Sequence, residues 1–546
     1  MVSHTTYLTH GRWIAELPMA RTADWRADPL LRNVPAATAT AALWEPIEWR
    51  FEEPAVENPY DVRATATFSH EETVRTTDLF YDGNDTFGLR FTGTRPGAWR
   101  YRIESDVAEL AGIDGIVHVD EEPRPWGRGF IRHAGNRWAW SDGPALVPQF
   151  VQYQAPIDYY ESPESVGEDI ETFIVEHGFT GFHSAPYLQW FDVERPHQAD
   201  YDEAADDPTP DPRAFTALET LIVRTYRAGG CNYIWLWGAP NSDTAPTRWG
   251  LDSHPVNRLY RYIAARLGPL PGWIMGFAYD LPGWHHDGPE LRDGAILEQW
   301  YDEMAAAFGW HHYLGARWLD VYPARPFPAR GIGTFTDVLD YTSLGQHRVA
   351  YDQYVDDLEF SPNQPVLEAD RFRVREQDPF GPKDYTPAMV RRGLWHATMA
   401  GGVANVWGYL LTDDGTSIDQ DRGSMPFPNA EEVATYHQFW FERDRFDADL
   451  VRAPAITGYE PGVAITDDGG ALYTALRDEP WSNVIAYAEA TDTLTLDLTA
   501  ARGPLAAVAV DTRSAYTERP VGTYEPGIHE IEFPSTSDWA IALAGD

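Results

Sequence analysis

Between about Trp138 and Asp444, eight short apolar runs alternate with stretches whose apolar residues recur at helical spacing. The runs fall at roughly 148–153, 179–184, 231–237, 273–279, 313–318, 339–344, 364–370 and 403–409. The helical stretches often stop at glycine. Val166, Ile170, Phe173 and Ile174 precede Gly178; Phe215, Leu218, Leu221 and Ile222 precede Gly229 and Gly230. Val256, Leu259, Tyr260 and Ile263 precede Gly268, and Ile296, Trp300, Met304 and Phe308 precede Gly309. A helix is weakly written between the fifth and sixth runs, where PARPFPARGIG carries many breakers. Eight strands alternating with helices over about 300 residues predict an α/β fold, a (β/α)8 TIM barrel, whose active site lies at the C-terminal ends of the strands.

The flanks have a different rhythm. DVRATATFSH, TVRTTDLFYDGND, TFGLRFTG and AWRYRIESDV alternate with period two and are punctuated by Asp-Gly-Asn-Asp and Arg-Pro-Gly turns. That pattern predicts an antiparallel, immunoglobulin-like β-sandwich over 41–122, after a leader segment at 1–40. The barrel is expected over 123–445, following the Pro- and Gly-rich EEPRPWGRGF. From 446 to 546, ALYTALRD, VIAYAEA, TLTLDLT, LAAVAVDT and HEIEFP return to short alternating strands and predict a second β-sandwich.

Composition narrows the partners. The 84 Asp and Glu outnumber the 42 Lys and Arg, for a formal net charge of −42, and Lys383 is the single lysine. Arginine in place of lysine and a carboxylate-rich surface suit a salt-adapted host with an acidic proteome. No basic cluster is long enough to hold phosphates, so neither nucleic acid nor an anionic membrane is an expected partner. Cys231 stands alone, which excludes an intramolecular disulfide and a Cys-rich zinc site; lying in an apolar run, it reads as a buried structural thiol. The first 25 residues lack a basic stretch followed by an apolar one, and no segment approaches the ~20 apolar residues of a membrane span. A cytoplasmic location is expected, or secretion if a signal was removed before this numbering.

In a barrel, polar residues at strand ends point into the mouth. The fourth run, WIMGFAYD, ends in Asp280, and the seventh, PVLEADRF, ends in Glu368 and Asp370. Carboxylates at these two ends face each other across the mouth, as glycoside hydrolysis requires: one donates a proton to the leaving oxygen while the other attacks or stabilises the oxocarbenium-like centre. Glu368 and Asp370, two apart, share a face of a regular strand. Apolar neighbours such as Phe277 and Trp284 would raise the Asp280 pKa. Arg371 and Arg373 either hold a carboxylate ionised or grip hydroxyls, or pair with surface acids. Trp190, Trp237, Trp249, Trp284, Trp407 and Tyr409 fall near strand ends, where flat rings stack on sugar faces. His183 and His347 are candidates for hydroxyl binding. The pairs His285–His286 and His311–His312 lack a spaced ligand set, so no metal and no cofactor is expected. No GxSxG, Walker A or GxGxxG after a strand is present.

These segments also carry a resemblance. NPYDVRATATFSH and FYDGNDTFGLRFTGTRPGAWRYR resemble the N-terminal β-sandwich found before many sugar-degrading barrels. GRGFIRHAGNRWAWSDG, GFAYDLPGW, GWHHYLGAR, PVLEADRFRVR and RRGLWHATMAGGVANVWGYL resemble the apiosidase-like, cellulase-related glycoside hydrolases, and the tail is similar to the small β-sandwich labelled collagen-binding that closes them. The resemblance implies a retaining, exo-acting or side-chain-cleaving glycosidase of plant or algal polysaccharides or their oligosaccharides. It places the acid/base at Asp280 and the nucleophile at Asp370 or Glu368. The chain departs from those relatives near the fourth strand end, where they commonly show Glu and Ala278 or Gly283 stands here. Two other functions compete: a carbohydrate-binding protein without turnover, and a polysaccharide lyase using His183 as base and Arg317 to neutralise a carboxylate.

Overall fold

The computed structural model describes residues 23–27, 29–52, 56–83, 86–152, 156–195, 205–238, 249–250, 252–278, 295–317, 339–345, 351–374, 384–409, 430–447, 449–458, 465 and 470–545. At its centre eight parallel strands form one sheet. They are β1 (Gln149–Gln152), β2 (Gly181–Ser184), β3 (Cys231–Trp235), β4 (Trp273–Gly276), β5 (Leu314–Gly315), β6 (Thr342–Leu344), β7 (Val366–Val374) and β8 (Ala404–Tyr409). Pairing runs β5–β4–β3–β2–β1–β8–β7–β6, and a parallel bridge between Arg317 and Ser343 joins β5 to β6 and closes the ring. The molecule is an α/β TIM barrel with flanking β domains, and each strand falls on one of the eight apolar runs. A parallel strand covered by helices is buried on both faces, which is why the runs read as continuous rather than alternating.

The helices between the strands form where expected. Helix α1 (Pro212–Arg227) starts at Asp211, whose carboxylate accepts from the Arg213 amide at 2.9 Å, and has Pro212 as its first residue. Its stripe of Phe215, Leu218, Leu221 and Ile222 is buried on the sheet. The chain then turns through Gly229, whose φ of +89° is readily adopted only without a Cβ. Helices α2 (His254–Leu267), α3 (Ala295–Ala307), α4 (Tyr351–Phe360) and α5 (Pro387–Ala400) continue the layer. Residues 318–338, which hold the weak helix, lie outside the described residues.

A three-stranded sheet, Ile131–Ala134, Arg137–Trp140 and Ala145–Leu146, caps the end where the strands begin. Its Trp138 is fully buried; the indole N–H donates to the Val366 carbonyl at 3.1 Å and the ring lies 5.4 Å from Tyr341.

The N-terminal domain is a sandwich of a four-stranded and a five-stranded sheet. Phe68 and Phe91, one from each sheet, stack at 4.3 Å, with Trp49, Trp99 and Tyr101 around them. Pairing begins at Arg32–Asn33, inside the segment read as a leader. A buried ionic cluster seats this sandwich on the barrel. Arg90 donates to Glu48 at 2.8 Å and to Glu219 of α1 at 2.9 Å, while Arg266 of α2 grips Glu219 at 2.6 and 2.8 Å.

The C-terminal strands form the flanking β domain expected there. By hydrogen bonding they make one six-stranded antiparallel sheet. Its two long strands, Asn483–Asp497 and Ile528–Ala544, shift register between Ala488 and Thr493, and such bulges bend a sheet. One face encloses Leu494, Leu496, Ile531 and Phe533; the other presents Ile485, Tyr487, Val508 and Ala540 to the barrel helices.

Candidate active site

Contacts that skip a strand identify the barrel interior. Phe150 on β1 lies 5.9 Å from Tyr233 on β3, and the Arg317 guanidinium, just past β5, stands 5.7 Å from the Trp235 ring on β3. The Tyr341 hydroxyl, just before β6, donates to the Met275 carbonyl on β4 at 2.8 Å. Each reaches the next strand but one, which is possible only through the lumen. Glycines on the intervening strands make the space. A Cβ on Gly276 would stand 2.6 Å from the Tyr233 hydroxyl, and one on Gly315 would collide with the Tyr341 ring.

The lumen beneath the mouth is therefore aromatic and polar together. His183 on β2 sits edge-on to Trp235 at 4.0 Å and 5.0 Å from Tyr233. The Trp235 indole N–H donates to the Tyr233 oxygen at 2.7 Å. Burial pushes the Tyr233 pKa up to about 12 and holds Tyr341 well above the ordinary phenol value, so both phenols stay protonated at neutral pH. Arg317 is 2% exposed; its side chain donates to the Ala369 carbonyl at 3.4 Å and its own amide to the Ala278 carbonyl at 3.2 Å.

At the fourth strand end, Phe277 turns outward, its ring 4.9 Å from Trp300 of α3. Alternation then aims Ala278, fully buried, toward the interior. Asp280, two residues on, lies outside the described residues, as do Trp284, His347 and the pair His285–His286.

The seventh strand fixes the facing of Glu368. Leu344, Glu368, Asn405 and Gln149 form one row across β6, β7, β8 and β1. Asn405 accepts from the Tyr354 hydroxyl of α4 at 2.9 Å, so this row faces the helices, and Glu368 is fully buried in it. Pairing with β8 then slips, from Glu368–Asn405 directly to Arg371–Val406. This bulge interrupts the period-two alternation on which a shared face depends. The backbones of Asp370, Arg371 and Arg373 belong to β7 and that of Tyr409 to β8; their side chains lie outside the described residues.

Three of the expected sugar-stacking tryptophans are wall residues. Trp407 shares the outward face with Asn405: its indole N–H donates to Gln149, and its ring lies against Gly393 of α5. Trp190 donates to the Leu236 carbonyl at 2.8 Å and packs on Phe215 of α1, while Trp237 donates to the Tyr260 hydroxyl at 3.2 Å. All three are fully buried. Trp249 is half-buried and donates to the Ala205 carbonyl at 3.2 Å. Sequence reading missed Tyr233 and Trp235. The alternation of Cys231, Tyr233 and Trp235 at every second position was the available signal, hidden because the run is mostly apolar.

His183 and Arg317 do enter the lumen, but as its floor. Both side chains are buried there. His312 is buried between the carbonyls of Gly268 and Trp273, with burial pushing its pKa down to about 3; His311 points away to Asp340 at 3.0 Å. Among the described residues no cluster of three or more His, Cys, Asp or Glu could hold a metal. Cys231 is buried, which raises its thiol pKa. No helix among the described residues is long and apolar enough to cross a membrane. A cleft of about 260 Å³, lined by Arg128, Asp142, Thr180 and Trp440, opens at the opposite end, where the strands begin and barrels do not place their chemistry.

Comparison with known proteins extends this picture. Residues 40–106, within the N-terminal sandwich, match the family described as a domain of unknown function, DUF5060. A search of curated proteins finds no match. Among solved structures, a candidate glycoside hydrolase from Bacteroides vulgatus is similar over 93% of this chain and 99% of its own, with TM-score 0.69 and 18% identity. A family 5 glycoside hydrolase from the same organism is similar over 77% of this chain and 93% of its own, with TM-score 0.55 and 11% identity. A third, described as a glycoside hydrolase, covers 77% of this chain and 98% of its own, with TM-score 0.52 and 12% identity. At these identities the likeness is one of fold, and the first of them extends it to nearly the whole length of both chains.

Proposed function

We propose that the protein is a glycoside hydrolase acting on a plant or algal polysaccharide or its oligosaccharides, by a retaining mechanism with two carboxylates and no metal or cofactor. The observation that carries this reading is the closed barrel itself. It sets the end of β4, which leads into Asp280, across the mouth from the bulged end of β7, which contains Asp370. Asp280 serves as acid/base and Asp370 as nucleophile. Glu368 does not share that role, because its row faces the helices. The fold likeness to glycoside hydrolases supports the reading. The carbohydrate is the partner; the host is salt-adapted and the enzyme cytoplasmic, unless exported with a signal that precedes this numbering.

The departure near the fourth strand end, where the resembling hydrolases commonly carry Glu and Ala278 or Gly283 stands here, favours a second reading: a sugar-binding barrel without turnover. Reducing-sugar release in molar KCl from a panel of plant and algal polysaccharides, with Asp280→Asn and Asp370→Asn beside the native chain, separates the two. Release that both substitutions abolish while sugar affinity persists supports the hydrolase. No release, with thermal stabilisation of the native chain by one of the same sugars, supports the binder.

A further inference from the structure

We propose that Arg317 is a positioning residue that braces the ends of β4 and β7 against each other across the barrel mouth. The proposal deepens the hydrolase reading and rests on it for its kinetic consequence. Arg317 is the residue whose pairing with Ser343 closes the barrel between β5 and β6. From that position its main chain and side chain reach opposite walls. The amide donates to the Ala278 carbonyl at 3.2 Å, two residues before Asp280, and the guanidinium crosses the lumen to the Ala369 carbonyl at 3.4 Å.

The second contact falls where the chain most needs it. The Ala369 carbonyl and the Asp370 amide belong to one planar peptide, so a donor on that oxygen orients the Asp370 backbone. The ladder with β8 is in register at Glu368 and resumes only at Arg371, so the regular strand pairing does not orient this peptide. Trp235 in turn holds the guanidinium, which lies 5.7 Å from its ring centroid, within cation–π range. At 2% exposure Arg317 is out of reach of a polymer in the mouth, so this geometry assigns it to the support of the site rather than to substrate. A planar guanidinium suits the task better than an ammonium, because its donors are fixed in direction.

The test compares Arg317→Met, which keeps much of the stem and removes the donors, with Arg317→Lys, which keeps the charge. A displacement of about 1 Å at a reacting group costs on the order of 100-fold in rate. For Arg317→Met, kcat is expected to fall roughly that far with KM within about threefold, with partial recovery in added guanidinium ion and a smaller loss for Arg317→Lys. Independently of activity, amide exchange at Asp370 and Arg371 should accelerate about tenfold or more while exchange in Gly181–Ser184 stays unchanged. Unchanged exchange at Asp370 in a folded Arg317→Met chain would overturn the brace, and so would an unchanged kcat. If Arg317→Met does not melt cooperatively, Arg317→Lys is read by the same two measurements. If the native chain hydrolyses no sugar, the hydrolase reading falls, and the exchange data still decide for or against the brace.

Discussion

Replacing Glu489 tests how the C-terminal sheet is joined to the barrel. Its carboxylate is buried and accepts five hydrogen bonds: from Arg392 at 3.0 and 2.9 Å, His396 at 2.8 Å, the Tyr487 hydroxyl at 3.0 Å and the Leu472 amide at 3.0 Å. Arg392 and His396 are four apart on α5 and so meet the sheet on one face. Glu489→Ala strands the Arg392 cation in a buried interface, a defect that costs about 3–5 kcal/mol. For a unit of roughly 100 residues, 1 kcal/mol shifts Tm by about 4–8 °C, so the calorimetric transition of the C-terminal sheet should fall by at least about 12 °C at pH 7.

Glu489→Gln keeps the shape and removes the charge, and pH gives the sign. Burial alone would raise the Glu489 carboxyl, but His396 and Arg392 hold it far below the ordinary glutamate range. A carboxyl depressed in the folded state stabilises fully above its unfolded value, near 4.5, and loses that contribution progressively as pH falls through the folded value. The gap between native chain and Glu489→Gln should therefore be widest at neutral pH and shrink below about pH 4.5. A Glu489→Ala transition within 2 °C of the native one, or a gap that widens on acidification, would refute the assignment of the joint to this charge cluster.

Two further outcomes follow from the lumen and the surface. Gly315→Ala drives a methyl into the Tyr341 ring, an overpacking worth about 1–3 kcal/mol, and should lower the barrel's melting temperature; an unchanged melt would show that the tyrosine has another place to go. With a formal charge of −42 the chain repels itself where screening is weak, so Tm should rise from low salt to molar KCl, and equal values would contradict the salt-adapted reading.

The positions of the eight barrel strands were legible because a parallel strand sandwiched between lumen and helices must be apolar on both faces, and a helix between them must carry a 3.6-residue stripe. The period-two flanks were legible for the complementary reason, having one wet face. The same continuity that marks a barrel strand conceals which of its residues look inward. The sequence therefore could not tell that Tyr233 and Trp235 floor the mouth while Trp237 and Trp407 belong to the wall.

What the sequence by itself determined is the order of elements, the barrel and its β flanks, since each follows from local periodicity and composition. Tertiary structure alone decided the rest. In-register pairing with Leu344 and Asn405 put Glu368 on the helix side, long bent strands made the C-terminal domain one sheet, and Arg317 came to join two walls. These depend on register between segments tens to hundreds of residues apart, and a register shift changes the facing of a side chain without changing any residue of the sequence.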